Sequence, residues 1–535
     1  MPTPERGGRP EGSRVETIAV TLAVMVAAAV AAGLFLPHQA LWIDETTQLS
    51  GLSLRPAGLL HWLVHPASHD FGVPGDRMPP LSYWLEWVWS RFFGLNETSL
   101  RWFGAVCAAG AAGLVSSAAR RAFGRRAGLF AGLFLALSPN ACVTAVEIRA
   151  YPLFLLTTAG ALRTLVVILR APPPGARRGI WIQLTVWLIA GMYVHFFGAL
   201  FGGLVVLGLA VDALTRRRAL RPIVVVATIL ALGLAGLVPF VIASQGLSAV
   251  TVRDRRHEVI QLVYRLIGHP AMAVFPLATV LAFGSAATLL VLAACRLPEG
   301  SRGPFRFFAL VLAAGIAISA AANFVVGGFT AAKVSYATWA VPVICLALAA
   351  PLTRSAGRWS GIALGAAVVL LACQGVGIAE LARNGDYFAH GPQPRLQRIL
   401  DGLGQRHPAV IHADPIADYG AAYFPLRFAN GPGLAQFVFA EPGTHPPLGI
   451  PLDPTSDRWK DQLRDYGSLV VVRSEVQSAH QLAEQIHGGD RGFGESRLIS
   501  ALESSPQWRR QGHWLFVSFV AADVTVFERT APGGP

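Results

Sequence analysis

Long apolar runs, parted by short loops that carry many of the arginines, constrain this chain more than any other feature. A backbone placed where water cannot reach it must close its own hydrogen bonds, and a helix does so within one segment. About twenty apolar residues cross a bilayer core of about 30 Å; Thr17 to Leu36 is an uncharged stretch of 20 residues. Composition agrees with that reading. Of the 535 residues 53% are hydrophobic and 14% charged, with a mean hydropathy of +0.48, against about 25% charged in soluble domains. The sequence therefore predicts a polytopic α-helical membrane protein. The formal net charge of +13 does not argue for nucleic acid, because basic residues grouped between apolar runs are topology signals. The first run lacks a small-residue cleavage site and leads straight into Trp42 and Asp44, so it reads as a retained span.

Basic clusters fall at Arg6/Arg9/Arg14, Arg120/Arg121/Arg125/Arg126, Arg170/Arg177/Arg178, Arg216/Arg217/Arg218/Arg221, Arg296/Arg302/Arg306 and Arg354/Arg358. If all face the cytoplasm, the apolar segments between clusters cross twice. That predicts about 11 spans, near 17–36, 101–119, 127–146, 150–169, 179–195, 196–214, 222–244, 270–295, 305–323, 334–353 and 359–380, with the N-terminus cytoplasmic and the C-terminus outside. Pro79 to Trp89, which is Trp-rich and carries Glu86, reads as an interfacial helix on the outer leaflet. If it and similar segments cross, the count becomes 12 or 13. From about Asn384 charge density becomes ordinary. Ala409–Ala413, Ser468–Val472 and Trp514–Val520 read as strands and Gln477–Ile486 as a helix. The expected organisation is a transmembrane domain over 1–383 and a soluble extracytoplasmic α/β domain over 384–535. Cys107, Cys142, Cys295, Cys345 and Cys373 all lie in or beside apolar runs, so no disulfide framework is indicated in the polar region.

Several polar residues gather on the predicted outer side. Asp44 and Glu45 follow the first span; a carboxylate there is either a solvated membrane-edge charge or a general base towards an acceptor hydroxyl. Glu147-x-Arg149-x-Tyr151 opens the fourth span, as a structural pair or one wall of a polar site. His195 sits at a turn between two apolar half-runs, either packed or lining a site, and is not read as a metal ligand. His65, His69 and Asp70 have a spacing one helical face could use for a metal, but Pro66 and the polar loop weaken that reading. Arg253, Arg255 and Arg256 break the positive-inside pattern, and Lys333 is a lone cation opening an apolar span. They suit a phosphate or anionic headgroups. Asn96-Glu97-Thr98 is a formal glycosylation sequon.

Taken in order, these pieces resemble the integral-membrane GT-C glycosyltransferases that use polyprenyl-phosphate-linked sugars. The nearest group is the family 39-like one, with protein O-mannosyltransferases, lipid A aminoarabinose transferases and bacterial lipopolysaccharide sugar transferases. The matching pieces are Asp44-Glu45, Met78-Pro79-Pro80-Leu81-Ser82-Tyr83-Trp84, Leu100-Arg101-Trp102-Phe103-Gly104, Phe123-Gly124-Arg125-Arg126-Ala127-Gly128, Leu137-Ser138-Pro139, Glu147-Ile148-Arg149-Ala150-Tyr151 and Val194-His195-Phe196-Phe197-Gly198. Lys333-Val334-Ser335-Tyr336 resembles the family's late Arg-Tyr. Two departures touch the donor-phosphate region: Met78 stands where relatives carry His or Lys, with Arg77 beside it, and Lys333 where Arg is usual.

The resemblance implies direct displacement, with Asp44, Glu45 and Glu147 as catalytic carboxylates and Asp44 deprotonating the acceptor hydroxyl. Arg77, Arg149, Tyr151, His195, Arg255, Arg256 and Lys333 would bind substrate. It implies a polyprenyl-phosphate-sugar donor and a lipid, glycan or protein acceptor, at the bacterial inner membrane with the C-terminal domain periplasmic or extracellular. It requires no nucleotide. The wider superfamily includes members that use a divalent cation, Mg or Mn, but the sequence shows no clear site for one. The rival classes are a transporter or lipid flippase, against which the boundary placement of the charges counts, and a non-catalytic relative that binds polyprenyl lipids.

Overall fold

The computed structural model describes residues 14–39, 41–65, 78–170, 177–245, 255–325, 334–353, 358–384, 393–404, 406–413, 422–439, 449–454, 459–476, 493, 496–516 and 520–530. The chain divides into two compact units, Met1–Pro37 with Arg77–Arg383, and His38–Asp76 with Asn384–Pro535. Residues 38–76, after the first span, are thus grouped with the C-terminal residues.

Helices dominate the first unit. In chain order they are α1 (Arg14–Phe35), then, past α2 (Ile43–Leu52) and α3 (Pro56–Val64) of the second unit, α4 (Leu81–Phe93), α5 (Glu97–Phe123), α6 (Arg125–Ala136), α7 (Pro139–Val146), α8 (Tyr151–Leu169), α9 (Arg177–Val194), α10 (Phe197–Thr215), α11 (Arg221–Gln245), α12 (Arg255–Arg265), α13 (Pro270–Ala273), α14 (Pro276–Arg296), α15 (Glu299–Val325), α16 (Ala340–Ala349) and α17 (Arg358–Asn384). Among the described residues eight helices (α1, α5, α8, α10, α11, α14, α15 and α17) are long and apolar enough to cross a bilayer. The pair α6 and α7, bent by 57°, makes a ninth if taken as one span; α9 and α16 are apolar but shorter. The chain is a multi-pass membrane protein. Pro139 explains the bend, because it offers no N–H to continue α6, while the Ser138 hydroxyl accepts from the Ala141 N–H and starts α7 afresh.

At the centre α5 packs against α1, α6, α7 and α8, with small residues such as Gly104, Ala108, Ala112 and Ala119 buried along it that let neighbours approach closely. Helix α4 has 13 residues, about 20 Å of helix, short of the bilayer core. It buries Ser82, Tyr83, Glu86 and Ser90 and exposes Trp84, Leu85, Val88, Phe92 and Phe93. Its polar stripe faces protein and its apolar stripe faces outward, the reverse of a helix on a water-soluble protein.

The second unit is built on a six-stranded sheet, order β3-β2-β1-β4-β6-β5, from β1 (Pro408–His412), β2 (Ala435–Phe439), β3 (Ile450–Leu452), β4 (Ser468–Val476), β5 (Trp508–Phe516) and β6 (Val520–Arg529). The first four in that order are parallel; β6 is antiparallel to both β4 and β5. Leu469 and Val471 face one layer with Trp459, Leu498 and Leu502. Val470 and Val472 face the other with Leu396, Leu400 and Leu426. The unbroken apolar run of β4 is what a strand covered on both faces requires. The covering helices are α18 (Gln393–Leu403), α19 (Phe424–Asn430), α20 (Trp459–Gln462) and α21 (Arg497–Glu503).

The predicted strand over Trp514–Val520 proves to be two strands: β5 ends at Phe516 and β6 begins at Val520. β5 is missed over its first half because Arg509, Arg510 and Gln511 are polar, as befits an edge strand paired on one side only. The predicted helix Gln477–Ile486 lies outside the described residues.

Candidate active site

Two close helix contacts, both made by glycines of the motif set, shape the polar end of the first unit. On α5, Arg101 is fully buried. Its Nη1 donates to the Val146 carbonyl at 2.6 Å, and its Nε and Nη2 donate to Glu97 Oε1 at 3.0 and 2.8 Å. One turn on, a methyl group at Gly104 would overlap the Ala145 carbonyl oxygen. Arg101 and Gly104 therefore dock the last turn of α7 against α5 and fix where the next residue, Glu147, leaves the helix. Glu147 is the C-cap of α7, extended at φ −72° and ψ 131°, and half-buried. Ile148, Arg149 and Ala150 follow as an irregular link, and Tyr151 opens α8 with its ring buried.

The second contact is the corner between α9 and α10. A methyl at Gly198 would overlap the Gly191 carbonyl, so only glycine lets α10 start this close to α9. The corner is closed by the Gly198 N–H donating to the His195 carbonyl at 2.7 Å. The Phe197 N–H donates to His195 Nδ1 at 3.2 Å. A nitrogen that accepts carries no proton, so the neutral imidazole holds its proton on Nε2 and is a donor there. The ring is buried and stacks on Phe154 at 5.2 Å and 13°, with Tyr151 at 5.5 Å, Tyr336 at 5.3 Å and Phe197 at 5.8 Å.

His195 thus joins three distant segments: the Glu147–Tyr151 link, the α9–α10 corner and the 3-10 turn Val334–Ala337 that carries Tyr336. A fourth arrives through α12, which packs on that turn, with Leu262 against Ala337. Arg255 and Arg256 open α12, and the Arg256 side chain is exposed. Two arginines in a first turn oppose the helix dipole, so their placement there is not explained by helix stability. Asn140 of α7 donates its amide to the Arg265 and Gly268 carbonyls and ties the far end of α12 down.

In the second unit Asp44 and Glu45 lie in the first turn of α2, where carboxylates suit the dipole. Successive residues on a helix point about 100° apart: Glu45 is fully buried and Asp44 half-buried. The two carboxylates therefore meet different surroundings.

Arg77, Lys333, Arg253, His69 and Asp70, and the side chain of Arg255, lie outside the described residues. His65 caps α3 and stacks on His61 at 4.3 Å. Among the described residues no three His, Cys, Asp or Glu side chains converge as metal ligands. Asn96 of the sequon serves as the N-cap of α5, accepting from the Ser99 N–H at 2.9 Å. Sequence reasoning passed over Arg101, Phe154, Phe197 and Tyr336 as site residues. Arg101, Phe197 and Tyr336 stand inside the motif set, but the contacts of Arg101 with Val146 and of Tyr336 with His195 join segments far apart in sequence, which no local spacing signals.

Residues 77–242 match the family model described as dolichyl-phosphate-mannose-protein mannosyltransferase. The crystal structure of ArnT from Cupriavidus metallidurans bound to undecaprenyl phosphate is similar at TM-score 0.52 and 15% identity, over 98% of this chain and 100% of that one. The chain has a GT-C-like fold. The apo state of the same ArnT aligns at TM-score 0.49, 15% identity and 97% and 98% coverage. The archaeal oligosaccharyltransferase AglB from Archaeoglobus fulgidus, in complex with an inhibitory peptide and a dolichol-phosphate, aligns at TM-score 0.48, 11% identity and 86% and 70% coverage. No curated protein matches by sequence. The family match covers both glycine-sealed junctions, Gly104 of α5 against α7 and Gly198 of α10 against α9, together with Glu147, Arg149, Tyr151 and His195.

Proposed function

We propose that this GT-C chain is a glycosyltransferase that moves a sugar from a polyprenyl-phosphate donor to a hydroxyl of an envelope lipid, glycan or protein. The observation that carries the reading is the convergence on His195 of Tyr151 and Tyr336, which brings three pieces of the ordered motif set together. Asp44 deprotonates the acceptor hydroxyl, and the resulting oxygen attacks the anomeric carbon from the face opposite the lipid phosphate. The sugar–phosphate bond breaks and the lipid phosphate leaves with the bonding pair, inverting the anomeric centre. Arg255, Arg256, Lys333 and Arg77 meet the charge that grows on the departing phosphate. Glu147, held by Arg101 through the end of α7, and Arg149 orient sugar hydroxyls; the half-buried Tyr336 ring gives the sugar a surface to rest on, backed by the buried Tyr151 and His195 rings. Glu45, fully buried, fixes the first turn of α2 around Asp44. The bound undecaprenyl phosphate of the ArnT structure supports a lipid phosphate as the donor's leaving group. The arginine distribution supports a reaction on the outer face of a bacterial inner membrane.

The test is turnover by the purified full-length chain with short-chain polyprenyl-phosphate sugars. Asp44→Asn should abolish transfer while leaving folding and donor binding intact, because an amide cannot take the hydroxyl proton. Near-normal turnover by Asp44→Asn sinks the base assignment. Donor binding without any transfer by the unaltered chain, across a panel of acceptors, would favour a lipid-binding relative.

A further inference from the structure

We infer that the C-terminal unit is the seat of the reaction's base: α19, fastened to β1 through Tyr423 and to α18 through Asn430, holds α2 and so positions Asp44. This rests on the reading of Asp44 as the base. The argument begins with α2 itself. It has 10 residues, and isolated helices shorter than about 12–15 residues are marginal, so packing must stabilise it. Every residue from Glu45 to Leu52 is buried, so packing encloses the helix after its half-buried Asp44. Besides its neighbour α3 it packs on α19, about 370 residues later in the chain.

Helix α19 has only seven residues and stands by its fastenings. At one end Asn430 and Gln397 of α18 exchange amide hydrogen bonds at 2.9 and 3.1 Å, and Asn430 also donates to the Leu426 carbonyl at 2.9 Å. At the other end Tyr423, the N-cap, is buried. Its hydroxyl accepts from Arg427 Nη1 at 3.0 Å, and its ring lies edge-on to His412 at 5.4 Å. His412, the last residue of β1, is bound through Nε2 to Gln436 of β2 at 2.9 Å. Its Nδ1 is buried and finds no hydrogen-bond partner among the described residues. A polar ring with one unsatisfied atom is a poor choice for a core that only needs filling; here it forms the floor under Tyr423. The line from sheet to base therefore runs His412, Tyr423, α19, α2, Asp44. On this view the soluble unit is part of the catalytic apparatus and Tyr423 is a positioning residue.

The test compares Tyr423→Leu and Asn430→Ala, which loosen α19 at opposite ends, with the conservative Tyr423→Phe, in the full-length chain. Hydrogen exchange over residues 43–52 and transfer kinetics are both read. The expected result is exchange in α2 faster by about tenfold and kcat lower by about tenfold or more in both loosening variants. Donor KM should stay within about twofold, and Tyr423→Phe should remain near the unaltered protein, since small displacements of a reacting group are costly. Unchanged exchange in α2 for both loosening variants overturns the inference, as does faster exchange with unchanged kcat. Turnover retained by Asp44→Asn would instead defeat the base reading, and the exchange measurement, which does not pass through Asp44, would still decide whether α19 holds α2.

Discussion

Gly104→Ala is the sharpest probe of how the fold presents Glu147. A methyl at this position would stand 3.0 Å from Pro152 Cγ and 3.3 Å from the Ala145 carbonyl carbon, and would overlap the carbonyl oxygen. Carbon atoms pack best at about 3.5–4.0 Å, so α5 and α7 must part by roughly 0.5–1 Å. Overpacking of this kind costs about 1–3 kcal/mol, and the better helix propensity of alanine returns about 1 kcal/mol. The net loss of stability is therefore about 2 kcal/mol. The geometric effect is larger, because the same movement draws the Val146 carbonyl away from Arg101, now at 2.6 Å, and carries Glu147 with it. A displacement of about 1 Å can cost on the order of a hundredfold in rate. The variant should express and fold, unfold at a slightly lower temperature, and show kcat reduced by about ten- to a hundredfold. Gly284→Ala is the control: nothing lies within 4 Å of its added methyl, so it should gain helix propensity and keep its rate. Assay both with purified chain and a short-chain polyprenyl-phosphate sugar. A Gly104→Ala protein with unaltered kcat would refute the claim that this junction places a working Glu147.

Two further outcomes are expected. Lys333→Ala should lower kcat by on the order of a hundredfold, more than it raises donor KM, and Lys333→Arg should retain part of the rate, since a cation facing a leaving phosphate acts mainly in the transition state; an unchanged kcat would make Lys333 a membrane-edge anchor. Burial pushes the His412 imidazole down to about 4 from an unfolded value near 6.5, so the folded state refuses a proton that the unfolded state accepts. Stability is then full above pH of about 6.5 and falls as pH drops towards 4, by about 3 kcal/mol in total; proteolysis of the full chain at pH 7 and 4.5 measures it, and His412→Asn should flatten the difference.

What the sequence by itself determined is the class of molecule. Apolar runs of membrane length admit only helices, and a run such as Leu469–Val472, apolar on both faces, admits only a covered strand, because each follows from what a local segment must do with its own backbone. Tertiary structure alone decided which distant residues meet. Gly104 and Gly198 were legible as motif members, but their purpose depends on the Ala145 and Gly191 carbonyls opposite them. Tyr336 joins His195 only because the late 3-10 turn reaches the α9–α10 corner. The grouping of α2 with a sheet whose first strand begins at Pro408 left no periodic signal, because a short helix with a polar first turn looks like a loop until the surface that stabilises it is present. Hydropathy is a property of a segment; contact between segments is set by the shape complementarity of packed surfaces, and that is written nowhere in either segment alone.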